Sequence, residues 1–217
     1  SAFWPLMKIL SKSFDAVALN ESKSRLDENS GFQQEISDNV LRYQVSFDSD
    51  GTMIHTETMS QGDSTIYQIQ HPIEYSIGSG KRGTSYVISA DQMLFQSPIG
   101  WYSTAKKWDF SPGYQQKNLH FERRLEDRCI HCHAGSVNRV EDATNRILQP
   151  LVKEAAISCE RCQGPAAGHV AWHRGQKSDL SKDPILSWKD MSPRAQASVC
   201  NQCHLVGGER VLRTGRT

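Results

Sequence analysis

The 217-residue chain is 37 % hydrophobic and 23 % charged, with a formal charge of +1, ordinary for a folded protein but lean in core-forming residues. The balanced charge gives no basic footprint for nucleic acid, and no run approaches the roughly 18 apolar residues of a membrane-spanning helix. In chain order, Phe3, Met7, Leu10, Phe14 and Val17 come first, at helical spacing. They predict a helix packed on a core, within an N-terminal helical segment over 1–38. The basic, apolar and small-residue succession of an intact signal peptide is missing, so either a signal has been removed or the chain is a piece of a longer protein.

From residue 39 the period changes to two. Leu41, Tyr43, Val45 and Phe47 alternate with Arg42, Gln44 and Ser46, the pattern of a half-buried strand. Asp48-Ser49-Asp50-Gly51 supplies a turn, and Thr52 to Met59 a β-branched partner strand. Further strands fit Ser64 to Gln70, Ile73 to Ile77, Ser85 to Ser89 and Met93 to Gln96, with turns at Gln61-Gly62-Asp63 and Ala90-Asp91-Gln92. Residues 39–114 therefore read as an antiparallel β-rich region.

Beyond Ser111-Pro112-Gly113 the segments turn helix-prone. Ser192-Pro193 sets a serine N-cap before a proline at the first helical position. Pro165 opens a second helix over 166–174 and puts His169 and His173 one turn apart on one face. Pro150 interrupts the segment from Val140 to Ala156. The fold class expected is α+β: an antiparallel sheet over 39–114 followed by a helical part over 115–217.

The cysteines indicate what this helical part packs around. All six fall into CxxC pairs, and none is left over as an ordinary buried thiol. Cys129-Ile130-His131-Cys132-His133 and Cys200-Asn201-Gln202-Cys203-His204 both match CxxCH. Two cysteines at this spacing can add to the vinyl groups on one edge of a porphyrin. The next histidine can then swing beneath the ring to bind iron. A zinc site could use four thiolates from two pairs, but it gives no reason for a histidine after the second cysteine twice over. Thiol redox chemistry would use a single CxxC at the start of a helix.

Cys159-Glu160-Arg161-Cys162-Gln163 keeps both thioether partners and replaces the iron ligand with an amide. A haem with a ligand from elsewhere, a haem with an open position, and a disulfide are the three alternatives. Among the remaining histidines, His169 follows this pair on its helix and His120 precedes Cys129 by nine residues. His55, His71, His131 and His173 have no assigned role.

Several ordered segments carry a resemblance. They include Ile77-Gly78-Ser79-Gly80-Lys81-Arg82-Gly83, Leu94-Phe95-Gln96-Ser97-Pro98-Ile99, Lys107-Trp108-Asp109, Cys159-Glu160-Arg161-Cys162 with Gly164-Pro165 and His169, and Cys203-His204-Leu205 before Arg210-Val211-Leu212-Arg213. Together they resemble the bacterial multihaem cytochromes c related to the tetrahaem cytochrome of ammonia oxidisers, a group that includes planctomycete-type forms with tetratricopeptide repeats. The resemblance spans residues 73–216. It implies exported, periplasmic or extracellular proteins with closely spaced, mostly bis-histidine haems. It also implies His169 and, less directly, His120 as distal iron ligands, and a third haem c at Cys159 and Cys162. Gln163 departs from the family's proximal histidine, a haem motif of the family's first region is missing, and residues 1–38 match poorly.

The function this predicts is electron transfer between redox partner proteins, in a homo-oligomer or a larger multihaem assembly, with no acid, base or nucleophile constellation that would require an enzyme. Reduction of a nitrogen oxide or peroxide at an open-coordinate haem at Cys159/Cys162 is the catalytic alternative. A structural or filament-forming haem subunit is the other.

Overall fold

In a computed structural model, the chain is described over residues 10–12, 30–78, 80–125, 127–140, 147–154, 157–176 and 182–204. It is an α+β protein of antiparallel sheets followed by short helices. It divides into two units, Ser1–Ala156 and Ile157–Thr217. The Cys129 motif thus belongs to the β-rich unit, and the other two cysteine pairs to the second.

The first sheet has the order β2-β3-β4-β5, from β2 (Gly31–Ile36), β3 (Asn39–Phe47), β4 (Met53–Gln61) and β5 (Ser64–Pro72). In β3 the alternation translates directly into faces: Leu41, Tyr43 and Val45 are buried, Arg42, Gln44 and Ser46 exposed. The second sheet joins β1 (Leu10–Lys12), β6 (Tyr75–Ile77), β7 (Gly83–Ala90), β8 (Met93–Tyr102) and β10 (Arg123–Arg124) in the order β1-β6-β7-β8-β10. β9 (Lys107–Phe110) also pairs with β8. At the β7–β8 turn Asp91 and Gln92 have φ of 51° and 64°, the left-handed pair that suits the twist of a tight hairpin.

Leu41, Tyr43, Ile73, Tyr86, Ile99 and Trp108 are among the residues that form the main core. A smaller cluster of Tyr75, Val87, Leu94, Leu125, Ile130 and Ala134 uses neighbouring positions of β6, β7 and β8. Since successive strand residues point to opposite faces, Tyr86 and Val87 serve different clusters.

Some expected helical territory is strand. β1 falls inside the apolar run from Phe3, most of which lies outside the described residues, and β2 occupies the end of the 1–38 segment. β2 lacks two-residue alternation and takes its form from six consecutive pairs with β3. Between the units' cysteine motifs, β11 (Ser136–Arg139) pairs with β12 (Ile147–Glu154). Pro150 does interrupt here, but as a sheet irregularity: it lies where the register shifts between Val137 and Arg139, a place where a missing N–H is tolerated.

In the second unit α2 (Cys159–Gln163) and α3 (Ala167–His173) precede a 3-10 turn at Trp188–Asp190 and α4 (Pro193–His204). Ser192 Oγ accepts the Ala195 N–H at 3.2 Å, the N-cap that the sequence predicts. No helix among the described residues is long and apolar enough to cross a membrane.

Candidate functional site

The Cys129 motif forms α1 (Asp127–His133). This helix has two turns at most, too few to be stable alone, so tertiary packing must hold it. Ile130, a spacer residue of the motif, is 3 % exposed and packs with Tyr75, Val87 and Leu94. Ala134 joins the same cluster, and its N–H continues the helix to Ile130 O at 2.8 Å. Upstream, the Leu125 N–H donates to Leu94 O at 2.9 Å and Arg123 pairs with Gln96. Burial of a side chain such as Ile130 is worth about 1.5–3 kcal/mol.

This docking leaves Cys129 and His133, one helical turn apart, lining a groove of about 470 Å³. That volume lies within the usual range for cofactor sites, about 300–1,000 Å³. Ile77, Trp101, Tyr102, Pro112 and Leu125 provide its apolar walls, and Arg82 and Arg123 its cationic groups. Arg123 is held in place: Nη1 donates to Pro112 O at 2.6 Å, and the guanidinium lies 5.4 Å from the centre of the Tyr114 ring. Gly78, also in the wall, has φ of 133°, and a Cβ there would come within 2.5 Å of Gly83 O, so a side chain is excluded. The protein around His133 lowers its pKa by desolvation, although the side chain still reaches solvent. Lowering favours the neutral imidazole that metals bind.

The second CxxCH closes α4, where Cys203 is half-buried and Cys200 and His204 are exposed. Its spacer Gln202 donates through Nε2 to Arg161 O at 3.4 Å. Arg161 is itself a spacer of the Cys159 pair, so the two cysteine helices of this unit are neighbours. Ala166 N donates to Glu160 Oε1 at 2.7 Å, bracing the turn that follows Gln163.

Each histidine singled out as a distal ligand has a carboxylate on Nδ1. For His120 this is Glu57 Oε1, at 2.7 Å. Glu57 is fully buried, and the same oxygen accepts the Tyr67 hydroxyl at 2.8 Å. His120 has φ of 52°, a conformation uncommon outside glycine, and its N–H is bonded to Asn118 Oδ1 at 2.9 Å. For His169 the carboxylate is Asp183, at 2.9 Å to Oδ1 and 2.7 Å to Oδ2. His173 Nε2 reaches the same Oδ2 at 3.0 Å. Desolvation pushes the Asp183 carboxyl up, but the Ile185 N–H and the two imidazoles outweigh it and hold it below its ordinary value.

The other histidines are structural in their surroundings. His55 is buried, with Nδ1 2.8 Å from Ser97 Oγ and its ring edge-on to Tyr86, and burial pushes it down to about 3. His71 packs on Phe121, and burial lowers it. The His131 side chain lies outside the described residues.

Glu57, Asp183, Arg82 and Arg123 were not singled out from sequence. Glu57 carried a usable signal: in β4 it continues the inward positions Met53 and His55, so a charged residue fell on the core face. No family model, curated protein or solved structure matches the chain.

Proposed function

We propose that the chain is an electron-transfer cytochrome c with haems covalently attached at Cys129/Cys132 and Cys200/Cys203, and with His133 and His204 as proximal iron ligands. The observation that carries this reading is the pairing of motif and groove: Cys129 and His133 line one apolar groove of about 470 Å³. A structural zinc site, closed by four protein ligands, needs no such groove.

The surrounding residues fit the cofactor. Apolar walls exclude water from a macrocycle, and Arg82 and Arg123 supply cations for its carboxylates. His120, its Nδ1 engaged by Glu57, keeps Nε2 for iron, the usual division of labour in a metal-binding imidazole. Two imidazoles on one iron give a centre suited to passing electrons rather than binding substrate. Thioether attachment implies maturation outside the cytoplasm, as in the family that the sequence resembles, and redox proteins as partners.

Intact mass spectrometry together with a visible spectrum tests the proposal. The polypeptide should retain haem after acid extraction and weigh more than its bare 24.4 kDa by the mass of two haems. Haem that extracts into organic solvent, or a mass equal to the bare chain, would end the reading.

A further inference from the structure

We infer that His169, His173 and Asp183 form a site for a divalent transition-metal ion, separate from the haem attachment sites. The three ligand atoms, His169 Nδ1, His173 Nε2 and an Asp183 oxygen, all lie within 4.8 Å of one another. Both imidazoles converge on one carboxylate oxygen, at 2.7 and 3.0 Å. Tetrahedral ligands about 2.1 Å from zinc sit roughly 3.4 Å apart, so the two imidazole–carboxylate distances need open only slightly to admit a metal.

The convergence is built by the fold. The i, i+4 spacing on α3 puts both rings on one face, and their centres are 4.6 Å apart. Asp183 comes from a separate loop, which can approach because residue 168 is glycine. A Cβ there would lie 2.9 Å from Pro184 Cγ, a ring atom on a stiff residue. The Ile185 N–H fixes Asp183 Oδ1 at 3.1 Å. His173 is 62 % exposed along its side chain, and Asp183 29 %, which gives an ion an entry path.

Two imidazoles and one carboxylate suit borderline cations such as Zn²⁺, Ni²⁺ or Fe²⁺ over Ca²⁺ or Mg²⁺, which favour oxygen ligands. Three protein ligands leave a fourth position for water or a small anion. Such a metal takes His169 Nδ1, whereas the resemblance assigns this histidine to a haem. The two assignments make different demands on His173 and Asp183.

The test is calorimetric titration of the full-length, haem-loaded, chelator-treated protein with Zn²⁺. One ion should bind per chain. His173→Ala, at an exposed position, should weaken binding more than tenfold, as should Asp183→Asn, while neither changes the visible haem bands. Gly168→Ala should also weaken binding, by pushing Pro184 and Asp183 away from the helix. Lack of saturable binding, or binding indifferent to His173→Ala, overturns the inference. So does a result in which His169→Ala shifts a haem's visible bands while His173→Ala leaves them alone, since His169 would then serve iron by itself. Because the protein's haem content is measured separately by mass, failure of the electron-transfer reading would be visible independently.

Discussion

His120 Nδ1 lies 2.7 Å from Glu57 Oε1, so an imidazole with a 44 % exposed side chain is tied to a carboxylate with none of its surface exposed. The tie spans 63 residues of sequence and fixes which ring nitrogen faces outward. Under the proposed function, His120→Ala should convert one haem from the low-spin spectrum of two imidazoles to a high-spin one. Global stability should fall as well, because the fully buried Glu57 carboxylate loses a partner, a cost of about 1–3 kcal/mol. Unchanged visible bands would remove His120 from the ligand set.

Glu57 should behave differently. Gln in its place keeps an Oε1 that can accept from both Tyr67 and His120, but it puts an amide NH2 where the buried Glu57 Oε2 has no hydrogen-bond partner, and a buried polar group left without a partner costs about 1–3 kcal/mol. Glu57→Gln is therefore expected to lower the denaturation midpoint and also to shift the midpoint potential of the His120 haem, through loss of the negative charge behind the ligand. Potentiometry on the folded variant separates these effects. A stability loss with no change in potential would make Glu57 structural only.

The anchoring of the first motif can be tested through Ile130. Ile130→Ala should cost about 2–5 kcal/mol, the usual penalty for emptying a buried aliphatic site. It should reduce haem attachment at Cys129/Cys132 more than at Cys200/Cys203. Peptide mapping of haem-bearing fragments measures the ratio, and equal loss at both motifs would count against α1 being held by this contact.

The parts legible in sequence were those with a local period or a local cap. β3, with Leu41, Tyr43 and Val45 inward, is encoded by alternation within nine residues, and α4 begins at the Ser192-Pro193 signal. β2 was not legible because its residues take an extended form only by pairing with β3. The CxxCH motifs were visible, but the groove beside Cys129 joins β6, β7, β8, Pro112 and α1, and such convergence has no sequence period. Glu57 and Asp183 were missed for a related reason: each reaches its histidine from another element, 63 and 14 residues away.

His55 makes acid a specific stress. Its pKa is pushed down to about 3 by burial, from an ordinary value of 6.5. Between those values the unfolded chain binds a proton that the folded chain refuses, so stability falls as pH drops through this window and is unaffected by His55 above it. The slope from this one group is about 1.4 kcal/mol per pH unit. Urea unfolding at pH 7, 5.5 and 4.5 should show the decline, and His55→Gln, if it folds, should flatten it. A decline of the same steepness in the variant would assign the acid sensitivity elsewhere.

The count of haems is the sharpest remaining prediction, because it depends on Cys159 and Cys162. Both thioether positions are present on α2, with Cys159 exposed and Cys162 half-buried. Gln163 occupies the place of the proximal ligand, however, and an amide competes poorly with imidazole for haem iron. The nearest substitute, His169, has Nδ1 on Asp183 in a cluster shared with His173. A haem at this pair would lack its own proximal histidine and would compete for His169 with the metal ion inferred above. The expected intact mass is therefore that of the chain plus two haems, with Cys159 and Cys162 available to alkylation after reduction. After tryptic cleavage at Arg161, the peptide holding Cys159 and the peptide holding Cys162 should each carry one alkyl group and no haem. A third haem joining these two cysteines would show that His169 or another imidazole serves its iron. The chain would then hold a site whose open or borrowed coordination could support small-molecule chemistry.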